Sequence, residues 1–574
     1  MAVKLLYALL PPVISVATGA EVSVFHKCLT NRRNITPRFT KINFSLVAFL
    51  LASVFTFIAV ADTLGGVLNP SEERGKQIYF TGRSPSDEDI IAYFGEKKLE
   101  LPGEAATCGS CHGYDGTGRP ESGLVPTNIT WKYLTKSYGH IHASGLEHGQ
   151  FTEESLKEYI KSGVYPGGAR GDPSMPLYYM SDRDLDDLIT YIKLVGELPD
   201  PGLSDRVVKV GTLIPSGGPL AGIGDAIRDI LAAYFSEVSS GGGINGRKIE
   251  LVVHEVTGDR QSAVARVKAW LADQQTFVLV SSFTPDLELD IQSVTSAESI
   301  PLVGPFTLYP TENFTLNRQI FYLFSGLAVQ ARALIHYASN RLELVNPRVA
   351  VLYPEKKSLD QVIAAVIEAC KSKGWQAVQK KPFPLATFDA TESARQLQEA
   401  GFEVVIFLGV EGQLRSFLEV AASRGWLPYV LAPGVLSGRL VVDAPRYFEK
   451  KLYLAYPTLP RDRKSWAVKE LSVLMKAHNL RPTRGQAVIS AYSAAKILVE
   501  AMRLSGRDLD RKKVTAALEK FYQFDTGLIP PITYTPNRRI GAKGAYILGF
   551  DPKMRGLGAR PDLPSGSTLT RRGR

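Results

Sequence analysis

Cysteine is almost missing from this chain. Four thiols in 574 residues cannot staple a disulfide framework, so the fold has to come from apolar burial, for which 45% hydrophobic residues suffice. No G-x-G-x-x-G opens a helix and no G-x-x-x-x-G-K-[ST] occurs, which removes the usual phosphate cradles. There is no Ser/His/Asp set and no flavin fingerprint, so a carrier or binding protein is expected rather than an enzyme. The net charge of +10 comes with no basic helix or aromatic stacking motif, which argues against nucleic acid as a partner. That charge is also uneven. Residues 62–200 sum to −9 and residues 201–574 to +14, an acidic stretch followed by a basic one that should attract each other at low salt.

The length calls for two or three folded units. The first 61 residues read as a leader. Lys27, Arg32, Arg33, Arg38 and Lys41 precede an apolar run from Phe44 to Ala61 that ends in Ala59-Val60-Ala61. Basic, apolar and A-x-A parts make a secretory signal, with cleavage expected after Ala61; left uncut, residues 44–61 are long enough to anchor the chain in a membrane. Residues 1–40 exceed what a signal needs, and the working start is expected further along, near Leu29. At the other end, residues 553–574 form a basic, Gly/Pro/Ser-rich tail.

Two of the four cysteines stand in Cys108-Gly109-Ser110-Cys111-His112. In C-x-x-C-H the thiols add to the vinyl groups of a haem and the imidazole ligates its iron. A zinc or dithiol site is the other reading. A zinc site would call for a second cysteine pair, which is absent, and an export leader and a downstream methionine suit haem over either. The sixth iron ligand is expected at Met175, in Gly171-Asp172-Pro173-Ser174-Met175-Pro176. Met180 opens the next helix and should pack as core; His140, His142 and His148 read as solvated loop histidines. Ser181-Asp182 caps that helix, along which Leu185, Leu188, Ile189 and Ile192 recur at helical spacing. Of the remaining cysteines, Cys370 falls on an apolar helix face and should be buried and inert, and Cys28 lies in the leader.

A helix carrying Glu73 to Tyr79, then C-x-x-C-H, a loop Met-Pro, and a closing helix with Tyr191 is a layout that resembles class I cytochrome c over most of residues 70–195. The resemblance implies an all-α domain over 70–199 with one covalent haem c, thioethers at Cys108 and Cys111, and His112 and Met175 as the axial pair. It also implies a proline carbonyl that orients the iron imidazole, for which Pro126 is the candidate. The stretch from Gly82 to Leu101 is an insert relative to the smallest members.

After Leu198-Pro199-Asp200-Pro201-Gly202, a linker, the pattern changes. Apolar runs at Val207–Ile214, Ile249–Val253, Phe277–Val280, Pro301–Val303, Arg348–Leu352, Val404–Leu408 and Tyr429–Leu431 alternate with helical stretches such as 224–236, 261–273 and 287–297. Alternation of this kind means parallel sheets covered by helices. Gly211-Thr212-Leu213-Ile214-Pro215, Gly243-Ile244-Asn245-Gly246-Arg247, Ile300-Pro301-Leu302-Val303-Gly304-Pro305, Arg348 to Tyr353 and Gly541 to Tyr546 resemble the type I periplasmic binding proteins, nearest their leucine/isoleucine/valine-binding branch.

That resemblance covers residues 207–552 and implies two α/β lobes closing on a small ligand. Ser282, Thr284 and Thr307 follow strands that should point into the cleft, Tyr353 ends another strand, and Glu411 follows the run at 404–408. Amino-acid-binding members carry an acid in a Gly-Pro-Glu-Gly-type turn. Here the turn reads Ala432-Pro433-Gly434-Val435, so Glu411 is expected to replace that acid, or the ligand to lack an ammonium group. An amino acid, an organic acid and an aromatic compound are all open as ligands. The expected whole is an exported haem electron carrier fused to a solute-binding module, working with a periplasmic redox partner or sensing a solute. The alternative is the receptor of an ABC-type importer and its permease, with an accessory haem.

Overall fold

Asn69 opens the first described helix because its side chain accepts from the N–H groups of Ser71 and Glu72, while the Glu72 carboxylate accepts from Asn69 N–H at 2.7 Å. The computed structural model describes residues 68–552 apart from 96, 119–125, 143–144, 312–316, 385, 439 and 482. The expected leader, start, basic tail and Cys28 lie outside the described residues.

The first module runs α1 (Pro70–Thr81), β1 (Ile91–Phe94), β2 (Leu99–Pro102), α2 (Cys108–His112), β3 (His140–Ile141), β4 (Glu147–His148), α3 (Glu153–Ser162), β5 (Leu177–Tyr179) and α4 (Asp182–Ile192). Ser181 caps α4 as its sequence implied, its hydroxyl accepting from Asp184 N–H at 3.2 Å. Helices α1 and α4 cross at Gly75, where an added Cβ would lie 1.9 Å from the Asp187 carbonyl oxygen. Arg74 closes the crossing with two bonds to the Asp187 carboxylate at 2.6 and 2.9 Å. The insert forms a hairpin of β1 and β2, and β1 also pairs with β5 through Ile91↔Tyr179 and Tyr93↔Leu177. The helical domain therefore carries a small antiparallel sheet in front of the loop that bears Met175.

In the second module the chain lays down β6 (Val207–Pro215), α5 (Ala221–Ser240), β7 (Lys248–Val256), α6 (Arg260–Gln274), β8 (Val278–Val280), α7 (Glu288–Ala297), β9 (Leu302–Val303) and β10 (Ile320–Phe324). It then crosses into a second lobe: α8 (Leu327–Arg341), β11 (Val349–Pro354), α9 (Asp360–Ser372), β12 (Val378–Phe383), α10 (Ala390–Glu399), β13 (Val404–Phe407), α11 (Glu411–Ser423), β14 (Tyr429–Pro433) and β15 (Leu452–Tyr456). It returns for α12 (Ser465–Ala477), α13 (Gly485–Leu504), α14 (Arg511–Glu519) and β16 (Ile540–Ala542), and crosses a third time to β17 (Tyr546–Gly549). The sheet orders are β16-β10-β9-β8-β6-β7 and β12-β11-β13-β14-β15-β17, parallel except for β17.

Helices on both faces bury the central strands completely, which is why β8 and β13 read as unbroken apolar runs. Each such side chain contributes about 1.5–3 kcal/mol of burial. Cys370 is fully buried in the second lobe, as its apolar helix face suggested. Where two of the crossings meet, the Ser325 hydroxyl donates to the Gly544 carbonyl at 2.6 Å.

Candidate functional sites: a thiol–imidazole helix and a first-lobe recess

The C-x-x-C-H run folds as the single helical turn α2, so both thiols and the imidazole come from one rigid piece of backbone. Gly109 is required there, because a Cβ would meet the Phe80 ring at 2.7 Å. The Tyr79 hydroxyl donates to the Gly113 carbonyl at 2.8 Å and ties α2 to α1. Burial pushes the Cys108 thiol up to about 12, while Cys111 is exposed. The His112 ring is buried, and burial lowers its pKa despite the nearby Thr127 carbonyl. Its Nδ1 lies 2.9 Å from that carbonyl oxygen. A neutral ring donates through Nδ1 there, leaving the Nε2 lone pair outward with no hydrogen bond among the described residues. The orienting carbonyl therefore belongs to Thr127 and not to Pro126, the residue before it. Proline marks the turn, but the carbonyl in register with the ring is the next one along.

Met175 sits in a turn built on Asp172, whose backbone carbonyl accepts from Met175 N–H at 3.0 Å and whose carboxylate accepts from Ser174 N–H at 2.9 Å. It is half-buried against the core of this module, in which Met180 is wholly enclosed. The three histidines are not the solvated loop expected of them. His140 and His148 are buried, and His148 stacks on Tyr165 at 4.3 Å between centroids. A polar-looking sequence became an aromatic tier because the β3–β4 hairpin folds its rings onto Tyr133, Phe151 and Tyr165. The Nε2 atoms of His140 and His142 are buried with no partner. Two thiols and a tautomer-locked imidazole on one helical turn fit a haem held covalently at α2.

In the second module Ser282 and Thr284 follow β8, and Thr307 follows β9. The structure brings these three together around a narrow recess, with Glu288, Ile291, Leu302, Pro305, Phe306, Ile320 and Tyr322. The Thr307 hydroxyl lies 3.4 Å from Glu288 Oε1 and accepts from Tyr309 N–H at 3.1 Å. Tyr353 and Glu411 do not join this group. They end β11 and begin α11 on the other lobe. Glu411 receives Arg415 at 3.3 Å, and its carboxylate lies against Gly438, so it is built into its own lobe. In the acid-less turn, a Cβ on Gly434 would meet the Tyr456 ring at 2.2 Å, so this position has no room for a side chain. Lys356 after β11 and Asp286 after β8 pair at 2.9 Å, an ion pair between the lobes. Glu288 escaped the sequence reading because an acid in the first turn of a helix has an ordinary explanation in the helix dipole.

The two modules touch. In the linker, Asp200 Oδ2 accepts from Arg511 N–H at 2.6 Å. The Arg511 guanidinium is buried, donates to the carbonyls of Thr276, Phe277 and Glu298, and lies over the Tyr114 ring. Lys512 pairs with Asp115 and donates to the Thr117 hydroxyl at 2.5 Å. Burial raises the Asp115 carboxyl, but the bonds from Lys512 and Thr117 outweigh it and hold the pKa below the usual value.

A family model described as a periplasmic binding protein matches residues 207–553, and one described as cytochrome c matches residues 103–195. The chain is similar to the leucine-, isoleucine-, valine-, threonine- and alanine-binding protein of Pseudomonas aeruginosa, 23% identical over 314 residues, or 54% of this chain and 82% of the relative. It is 22% identical over 349 residues to Leu/Ile/Val-binding protein homolog 3 of Brucella melitensis, covering 60% of this chain and 91% of that one. A branched chain amino acid ABC transporter structure from Thermus thermophilus with bound valine superposes at a TM-score of 0.50 with 16% identity, covering 62% of this chain and 95% of its own.

Proposed function

The chain belongs to the periplasmic binding protein family and carries a cytochrome c domain with covalently bound haem c ahead of it, and from that premise we propose that it is an electron carrier whose solute-binding module is read at the haem. Both modules belong outside the cytoplasm. Among the described residues no helix is long and apolar enough to cross a membrane. We propose export by the leader, with cleavage after Ala61 into the periplasm.

In this reading Cys108 and Cys111 would hold the haem as thioethers, and His112 and Met175 would ligate its iron. A histidine–methionine pair would raise the potential, which suits electron transfer over oxygen chemistry. Thr127 keeps the His112 ring in the tautomer that offers Nε2. The protein then exchanges electrons with a periplasmic redox partner and performs no chemistry on the solute. One observation carries the link between the modules: the loop three to five residues after His112 is docked through Asp115 and Thr117 onto Lys512. The test is potentiometric titration of the haem with and without bound solute.

The second reading is an importer receptor with an accessory haem, favoured by relatives named for amino-acid binding. Deleting the protein would then abolish uptake of its solute through an ABC-type permease. A carrier would leave uptake intact and slow electron transfer from its partner.

A further inference from the structure

We propose that His140, His142 and His148 form an acid-sensitive latch, which holds the Met175 loop in place while the rings are neutral and releases it when they take up protons. The inference rests on the reading of Met175 as an iron ligand. His140 and His148 are paired directly across the β3–β4 hairpin with ring centroids 5.0 Å apart, and His142 lies 5.1 Å from His148. The rings are not set to share an ion, since among the described residues no group of three or more His, Cys, Asp or Glu side chains could hold one. What they touch instead leads to the methionine. His148 stacks on Tyr165 with 7° between the planes, and Tyr165 stacks on Tyr159 at 4.4 Å, their hydroxyls 3.1 Å apart. Gly171 packs so closely on Tyr159 that a Cβ there would lie 2.6 Å from the phenol oxygen. The next residue, Asp172, builds the turn that carries Met175.

The tier suits neutral rings and opposes charged ones. His140 and His148 are buried, and the Nε2 atoms of His140 and His142 are sealed without a hydrogen bond. An imidazolium carries hydrogen on both nitrogens, so protonation would leave those two N–H groups buried with no acceptor. It would also set like charges side by side. The surrounding groups do not offset this. Lys136, over the Tyr133 ring on which His140 stacks, is itself a cation. Glu147 on β4, Lys132 and Arg170 are exposed, and Asp172, beyond the tyrosines, accepts from Ser174 N–H. Burial lowers the His140 pKa, with His148 and Lys136 adding to this and the carbonyls of Leu134 and Tyr133 opposing. Burial and His148 lower that of His142. An opened hairpin therefore takes up protons first. The closed tier is fully favoured above the ordinary imidazole value of 6.5 and loses ground as pH falls below it. With two protons bound on opening, the closed-to-open ratio changes about a hundredfold per pH unit. Loss of the methionine would lower the haem potential, so acid would weaken the carrier.

The test is an acid titration of the haem-loaded full chain, starting at about pH 8 and ending near pH 4, across the imidazole range. It follows the methionine-to-iron band and, by NMR of histidine-labelled protein, the ring signals. In the native protein the band should be lost below pH 6.5, and the rings of His140 and His142 should gain protons only as it goes. His140→Phe with His142→Phe keeps the aromatic packing and removes the charge. It should move the loss of the band at least about one pH unit lower. A smaller displacement would overturn the proposal, as would a native band that outlasts the whole titration. If the double variant fails to fold, the native rings decide: either ring titrating near 6.5 while the band stays intact overturns the latch. In each of these cases the band is present at the start, so Met175 stands as a ligand and only the latch falls. A native protein with no band even at the start would sink the Met175 reading, and this inference with it.

Discussion

Arg511 lies over Tyr114, 5.8 Å from its guanidinium carbon to the ring centroid, and Tyr114 is two residues past His112. The same guanidinium holds the carbonyls of Thr276 and Phe277 at the entrance to β8, the strand whose other end carries Ser282 and Thr284. One side chain therefore touches both the flank of the haem motif and the strand that leads to the recess. The haem module rides on the first lobe.

Reversing the charge at the edge of this contact should loosen it. Lys512→Glu removes the pair with Asp115 and sets two acids together. An exposed pair is worth up to about 1 kcal/mol, so the fold should persist while the docking weakens. Limited proteolysis around Pro199–Leu203 should become faster in the variant and, in the native protein, faster as salt rises. Equal cleavage rates would mean that the contact does not hold the modules together.

The two methionines should separate cleanly. Met175→Ala should abolish the methionine-to-iron band of the oxidised protein and lower the haem potential, because a ligand favouring ferrous iron is lost. Met180→Ala should keep the band and cost about 2–5 kcal/mol of stability in its module, as a cavity in a closed core does. The reverse pattern would assign the ligand to Met180.

Gly75→Ala forces a methyl group into the Asp187 carbonyl at the crossing of α1 and α4. Overpacking of this kind costs about 1–3 kcal/mol. The unfolding transition of the haem module should fall, and that of the binding module should not, as calorimetry of the full chain would show.

Glu288 gives a pH-dependent signature. Its folded pKa is raised, by burial first and by Asp286, with Thr307 and Lys356 opposing. A raised carboxyl favours the folded state while it is protonated, below the ordinary value of 4.5, and that contribution is lost as pH rises through the folded pKa. At pH 7 the native protein thus carries a desolvated charge that Glu288→Gln removes. The variant should melt higher than native at pH 7, and the gap should shrink as pH falls toward 4.5. A variant that melts lower at pH 7 would show that the carboxylate is stabilised by its surroundings.

Much of this was legible in the residues. The C-x-x-C-H turn, the Ser181 cap and the runs that became β6, β8 and β13 announce themselves, because their spacing and composition have few other uses. What was hidden is tertiary. Nothing local tells Thr127 from Pro126 as the partner of His112, since the choice depends on how the returning loop lies over the ring. The histidines between 140 and 148 look polar in sequence and become core only when the hairpin meets Tyr165. Ser282, Thr284 and Thr307 were found by their place after strands, and the structure gathers them; Tyr353 and Glu411 obey the same rule on the opposite lobe. Glu288 joins the three only because α7 turns its first residue back toward β9.

The most direct test is the midpoint potential of the haem in the intact protein, with the binding module empty and then saturated with a solute identified by native mass spectrometry of the purified chain. The docking of Asp115 and Tyr114 onto Lys512 and Arg511 predicts a small shift on saturation at low salt. At physiological salt, where screening acts over about 8 Å, the shift should be smaller. Identical midpoints with and without solute at low salt would contradict the account, leaving a carrier and a receptor that merely share a chain.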